Sequence, residues 1–303
     1  FIHDNKMMRL TENKKNMRRT HSQELPEHRV TSEVFVEKDA TEVLKIGGNA
    51  FSKFFFKYPP HLRKNSKEKA IVEQDEDGDL VLDRNEEGVI LIKHSRSTEL
   101  ALVGLQIWRG ALLLADYILS FPELFQNKVI LELGSGVGFD SIIAAMVAKE
   151  VICTDVNVGG ILKLIEDNFY RNKELIKSKT CVTELDFMNL NWNAILNEKM
   201  KNVDVVMAAD VIYDDKITDG FVKTLGKLFD FPNIRQIYVA LEKRYVFTIA
   251  DLDSVAPSYE EFFRSLRRHK LDLAIDEIKL QFPQFFRYQR LSQLVLMKIE
   301  RKF

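Results

Sequence analysis

The chain has 303 residues, 46% of them hydrophobic, and a formal net charge of -1. That is enough for one large α/β domain with an extension, while the charge balance alone singles out no partner. Two cysteines in apolar strand-like runs, Cys153 and Cys181, fit buried thiols in a reducing compartment, and scattered histidines and short apolar runs exclude a histidine metal site and a membrane span. The chain begins at Phe1, so an earlier targeting segment stays open.

Residues 1–70 are poorly patterned, with basic residues at Lys14, Lys15, Arg18 and Arg19 and four phenylalanines at Phe51, Phe54, Phe55 and Phe56. The pattern favours a solvated tail whose aromatics dock on the domain over a nucleic-acid-contacting or nuclear-import arm. Asp77-Gly78 predicts a hairpin turn between 70–72 and 80–82. Glu73, Asp75 and Asp77 imitate the start of a calcium loop, but Arg84 stands where the closing glutamate belongs. Residues 79–93 predict strands about the polar turn 84–88, and 104–119 a helix that ends before Pro122.

From there strands and helices alternate. Strands are expected at 129–133, 151–154, 180–184, 203–208 and 236–241, and helices at 139–149, 160–171, 216–229 and 259–269. Ser258 and Glu261 are spaced as a capping box for the last helix. Strands at 273–280 and 294–299 then follow without a helix between them, across the loop 283–290. Alternation predicts a mostly parallel sheet with helices on both faces, and the ending predicts an antiparallel hairpin. The domain reading is an extension over 1–70 and a domain over 71–303, divided into an N-terminal hairpin (71–100) and a core (101–303).

The most informative stretch is Glu132-Leu133-Gly134-Ser135-Gly136-Val137-Gly138, directly after Val129-Ile130-Leu131. Glycine at alternate positions lets a ligand lie against the backbone. A dinucleotide fingerprint would need glycine at Phe139, and no Lys-Ser/Thr pair follows as in a P-loop. The stretch resembles motif I of the seven-strand S-adenosylmethionine-dependent methyltransferases. In an open parallel sheet, ligands bind beyond the carboxyl ends of the strands. An acid stands at the end of each of five successive predicted strands: Glu132, Asp155, Asp186, Asp210 and Glu242.

Gln106-Ile107-Trp108-Arg109-Gly110-Ala111-Leu112 and Asp210-Val211-Ile212-Tyr213 narrow the resemblance. In register with motif I they are similar to the methyltransferase-like 21/22 family of protein lysine methyltransferases, over about residues 88–303. The resemblance implies an α/β, Rossmann-like, seven-stranded sheet. It implies S-adenosylmethionine as cofactor, no metal, and a lysine ε-amine of a non-histone protein as methyl acceptor. Cofactor contacts would come from Trp108, Glu132, Gly134, Ser135, Gly136, Gly138, Asp155, Val156, Asp186, Phe187 and Ala209. Asp155 would hold the ribose hydroxyls, Asp186 the adenine amine and Glu132 the methionine amino group. Asp210, Tyr213 and Glu242 would line the lysine channel, with Glu242 alternatively paired to Lys243 or Arg244. Phe187 departs from relatives that carry tryptophan there, yet keeps an aromatic wall. The resemblance further implies a monomer in nucleus or cytosol. It implies a protein partner, with a nucleic-acid-associated nuclear protein as one candidate, and neither membrane nor direct nucleic-acid binding. Alternatives are a methyltransferase of nucleic acid or small molecules, against which the missing Asp/Asn-Pro-Pro-aromatic run counts, and a non-catalytic cofactor-binding module.

Overall fold

The computed structural model describes residues 29–35, 41–46, 49–63, 73–74, 80–81, 87–248 and 253–302. The basic cluster at 14–19 and the Asp77-Gly78 turn lie outside them. Ahead of the main sheet stand three antiparallel strands, β1 (Thr41–Ile46), β2 (Asn49–Lys57) and β3 (Glu87–Ser95), in that spatial order. Sequence pattern placed no strand at 41–57 and returned 89–92 onto 80–82. Instead β3 pairs with β2, with Phe54 opposite Ile90 and Phe55 opposite Val89. Lysines obscure a period of two in β2: Ala50, Ser52, Phe54 and Phe56 are buried, while Phe55 is exposed. Glu73–Gln74 pairs antiparallel with Leu80–Val81 as a separate short ribbon.

The main sheet contains β4 (Val129–Leu133), β5 (Glu150–Asp155), β6 (Lys179–Glu184), β7 (Val205–Ala209), β8 (Gln236–Glu242), β9 (Leu273–Glu277) and β10 (Leu294–Arg301). Their spatial order is β6-β5-β4-β7-β8-β10-β9. The first five strands pair in parallel, and β10 runs antiparallel between β8 and β9. The expected Rossmann-like sheet and closing hairpin are both present. β4 is buried at every position, as a strand covered on both faces must be. One apolar layer joins α1 (Arg109–Ser120), α2 (Phe139–Ala144) and α3 (Ile161–Arg171) to one face. The other joins α4 (Ala194–Met200), α5 (Asp215–Leu228) and α6 (Pro257–Arg268). Strand order turns back between β4 and β7, which opens a crevice above their carboxyl ends.

Three local expectations change. The helix expected over 104–119 is a 3-10 turn, Leu100–Leu105, and a separate helix α1, with extended backbone at Gln106 and Trp108. The break has partners: the Gln106 side chain accepts from Ser32 N–H at 2.8 Å and donates to Val30 O and Thr98 Oγ1, and Ser32 Oγ donates to Ile107 O. The stretch Leu100–Ser120 is apolar and long enough to cross a bilayer on composition, contrary to the sequence reading, but it is split at this break and 72% buried in the fold. The capping box also does not form. Pro257 opens α6 after Ala256 without a side-chain cap, and Glu261 instead accepts from Arg264 and Arg268. Helix α4 was not foreseen; Asn193 caps it, its side chain accepting from Leu196 N–H at 2.8 Å.

Two polar contacts fix the layers to each other. On α3, Asn168 and Asn172 are buried one turn apart and act as a surrogate strand for the edge of β3. Asn172 accepts from Leu91 N–H and donates to Leu91 O, and Asn168 does the same to Lys93. On α1, fully buried Asp116 accepts from Phe285 N–H, Phe286 N–H, Tyr288 OH and Arg290 Nη2, which ties the loop 283–290 to the helix. Burial pushes the Asp116 carboxyl above its usual range, against these donors.

Asn168→Ala would leave the Lys93 N–H and the Lys93 and Val137 carbonyls without partners. The expected loss is about 2–4 kcal/mol in urea unfolding; an unchanged midpoint would show the extension to be loosely attached.

Candidate functional site

A cavity of about 560 Å³ lies in the crevice at the carboxyl ends of β4 to β7. Its floor is the loop after β4. Gly136 has φ +56°, and a Cβ there would stand 2.9 Å from Gly104 O, so only glycine lets this loop lie flat under the 3-10 turn. Ser135 fastens the loop to β5: its N–H donates to Thr154 O, and its Oγ accepts from Thr154 N–H. Gly134, Ser135 and Gly136 line the cavity. Gly138 does not; it caps α2 in a left-handed conformation and backs onto Ile165.

Each strand then delivers its acid. Glu132 on β4 is buried, and its Oε2 accepts from Ser141 Oγ. Burial pushes its carboxyl up to about 8; the Ser141 hydroxyl opposes that rise and the nearby Asp155 charge adds to it. Asp155 ends β5, with Oδ2 accepting from Gly136 N–H and Oδ1 from Val156 N–H, both at 2.7 Å. Burial raises it to about 6 against those two donors. Asp186 and Phe187 follow β6; Asp186 accepts from Met188 N–H, and Phe187 is buried against Phe221, with ring centroids 5.4 Å apart. Ala209 ends β7, and Asp210 follows with φ +52°.

Asp210 holds two elements together. Its Oδ2 accepts from Gly110 N–H at 2.6 Å and its Oδ1 from Glu242 N–H at 3.0 Å, which joins the start of α1 to the end of β8. Gly110 permits the approach, because a Cβ there would fall 2.5 Å from Asp210 Oδ2. Burial lifts Asp210 to about 6, opposed first by the Glu242 N–H and then by the Arg244 charge. Tyr213 and Asp214 also line the cavity, with Tyr213 37% exposed.

Glu242, expected in the channel, is not among the lining residues. Both its oxygens accept from Arg109 Nη1 at 3.0 Å, so its partner is neither Lys243 nor Arg244. Arg244 instead lies over the Trp108 ring, 5.0 Å from its centroid, and pairs with Glu33 at 2.9 Å. Trp108 lines the cavity and donates its indole N–H to Val103 O at 3.1 Å. Sequence reasoning missed Asp140 and Asp214, both of which line the cavity. An acid in a helix's first turn, like Asp140, is ordinary, and Asp214, though within the stretch similar to the family, reads as a helix cap, its side chain accepting from Lys216 and Ile217 N–H.

Comparison with known proteins identifies the family. A profile of the lysine methyltransferase family matches residues 85–269. The chain belongs to the lysine methyltransferase family. Methyltransferase-like protein 22 from Homo sapiens is 36% identical over 232 residues, 70% of this chain and 57% of that protein. The Mus musculus protein of the same name is 36% identical over 254 residues, 76% of this chain and 64% of its own length. Protein-lysine N-methyltransferase EEF2KMT from Mus musculus is 27% identical over 206 residues, 65% of this chain and 58% of that protein. The chain therefore spans about three fifths of the length of these curated relatives.

The raised Asp155 carboxyl has a measurable consequence. As pH rises from about 4 to about 6 the unfolded chain loses this proton first, so folding stability falls across that window. Above it, a shift from 3.8 to about 6 amounts to a deficit on the order of 3 kcal/mol. Asp155→Asn should remove that slope, so that urea unfolding at about pH 3.5 and about pH 7 (roughly half a unit below and a unit above the window) separates variant from wild type more at the higher pH.

Proposed function

We propose that this chain is an S-adenosylmethionine-dependent methyltransferase acting on a lysine ε-amine of a non-histone, nuclear protein. The observation that carries the reading is the cavity wall. Six carboxyls, Glu132, Asp140, Asp155, Asp186, Asp210 and Asp214, stand beside a glycine floor and the Trp108 and Phe187 rings, with no basic side chain among the described lining residues. Such a wall suits a ligand bearing an ammonium and a sulfonium, and repels a pyrophosphate. The family's description and the name of protein-lysine N-methyltransferase EEF2KMT support the acceptor class. The nuclear part of the assignment follows the family resemblance, since the basic residues Lys14, Lys15, Arg18 and Arg19 alone read as a solvated tail.

When bound, S-adenosylmethionine supplies an electrophilic methyl group. On this reading Asp155 turns from Gly136 and Val156 N–H groups to the ribose hydroxyls, and Asp186 accepts from the adenine amine. Phe187 and Trp108 flank the adenosine, with Val156 and Ala209 between them, and Glu132 faces the methionine amino group. Tyr213 and Asp210 line the lysine's approach. A lysine of ordinary pKa near 10.4 must lose a proton first, at a cost of roughly 4 kcal/mol. The apolar rim formed by Leu100, Val158 and Tyr213 lowers that cost by desolvating the ammonium. Asp210 already holds two backbone N–H groups, so it orients the amine through its remaining lone pairs, and the proton leaves to water. Holding amine and methyl in line is worth roughly 7–11 kcal/mol.

The test is transfer of radiolabel from S-adenosylmethionine into a nuclear extract, with labelled protein hydrolysed to amino acids. The label should be recovered as methyl-lysine. Asp155→Ala should weaken cofactor binding about tenfold or more, whereas Asp210→Asn should bind cofactor normally and lose most transfer. Label in nucleic acid would overturn the lysine assignment, and full turnover by Asp210→Asn would overturn the role given to Asp210.

A further inference from the structure

We propose that Asp140 acts with Glu132 as a two-carboxyl seat for the α-ammonium of the cofactor's methionine moiety, an assignment that rests on the cofactor reading above. Asp140 lies in the first turn of α2, is 1% exposed and lines the cavity. Its Oδ1 is buried and accepts no hydrogen bond among the described residues. A buried carboxyl oxygen without a donor costs about 1–3 kcal/mol or more, so the position calls for a donor from the cavity. The neighbouring hydroxyl cannot serve, because Ser141 already donates to Glu132.

The surroundings specify a cation. The charges that act on Asp140 are the carboxyls of Glu132 on β4, Asp210 after β7 and Asp116 on α1. Arginines on the surrounding elements pair with other acids: Arg290 with Asp116, Arg109 with Glu242 and Arg244 with Glu33. With burial, these acids push Asp140 well above its ordinary range, and Glu132 is likewise high at about 8. Without ligand the pair therefore holds protons more tightly than ordinary carboxyls do.

The cofactor brings two cationic groups, and only one can fill this seat. A sulfonium has no N–H, whereas an ammonium has three donors, enough to serve Asp140 and Glu132 together. Its arrival replaces a proton that passes to the solvent. Affinity should therefore rise with pH as the pair becomes easier to ionise, up to about the raised value of Glu132.

The experiment is calorimetric titration of the full chain with S-adenosylhomocysteine, which keeps the ammonium. It is run from about pH 6.5 to 8.5, on either side of the Glu132 value of about 8, in buffers of different ionisation enthalpy. 5′-Methylthioadenosine, which lacks the amino-acid moiety, serves as the paired probe. Wild type should release a proton on binding S-adenosylhomocysteine. Asp140→Asn should bind it about tenfold or more weakly near pH 8, with proton release reduced, while 5′-methylthioadenosine binding stays within about twofold. Unchanged affinity and proton release in Asp140→Asn would overturn the seat and leave the cofactor reading standing. Equal weakening of both probes would overturn it in favour of a structural role. Failure of wild type to bind either probe would overturn both readings.

Discussion

Six carboxyls on the wall of one cavity, with no basic side chain among the described lining residues, set the electrostatic problem that the rest of the fold answers. Carboxylates crowded in a poorly hydrated space raise one another's pKa values and favour protonation. Glu132, Asp140, Asp155 and Asp210 all shift upward, with burial the largest cause each time. The answer is local and unequal. Backbone N–H groups serve both oxygens of Asp155 and of Asp210, a hydroxyl serves Glu132, and no group among the described residues serves Asp140 Oδ1. Stability has been conceded at a functional site, as protein folds commonly allow.

The donors to Asp155 and Asp210 do more than satisfy charge. Gly110 N–H opens α1 and Glu242 N–H ends β8, so one carboxyl fixes the helix that carries Trp108 relative to the sheet. The N-terminal segment completes the arrangement. Ser32 and Val30 hold Gln106 in an extended conformation, and Glu33 steadies Arg244 over Trp108. On the other side, Phe54 of β2 packs edge-on against Phe139, which itself lines the cavity, with ring centroids 5.1 Å apart. The extension is thus part of the scaffold that shapes the cavity.

The sequence was legible where one signal dominated. Apolar runs ending in acids marked the strands, and glycines marked the loop after β4, because parallel strands covered on both faces leave little room for other residues. It was illegible where tertiary partners decided. Lysines among the phenylalanines masked β2, whose register becomes clear only opposite β3. The break before α1 depends on backbone and side-chain groups of Val30 and Ser32, more than seventy residues away. The partner of Glu242 is Arg109, distant in sequence, whereas Lys243 and Arg244 were merely adjacent. Asn168 and Asn172 look like ordinary polar helix residues until an open strand edge stands against them.

The same wall bears on how methyl transfer would proceed. A neutral lysine and a sulfonium become a methylated ammonium and a thioether, so the net charge of the reacting groups is conserved while its position moves from sulfur to nitrogen. A wall with acids at both the Glu132 and the Asp210 side keeps a favourable potential along that path, whereas a single carboxylate near the sulfur would favour the reactant over the transition state. The transfer itself then meets little electrostatic resistance. What remains is deprotonation of the incoming ammonium, which an acidic wall opposes. The apolar rim of Leu100, Val158 and half-exposed Tyr213 acts on that remaining barrier, because desolvation disfavours the ammonium before it comes within reach of the carboxyls.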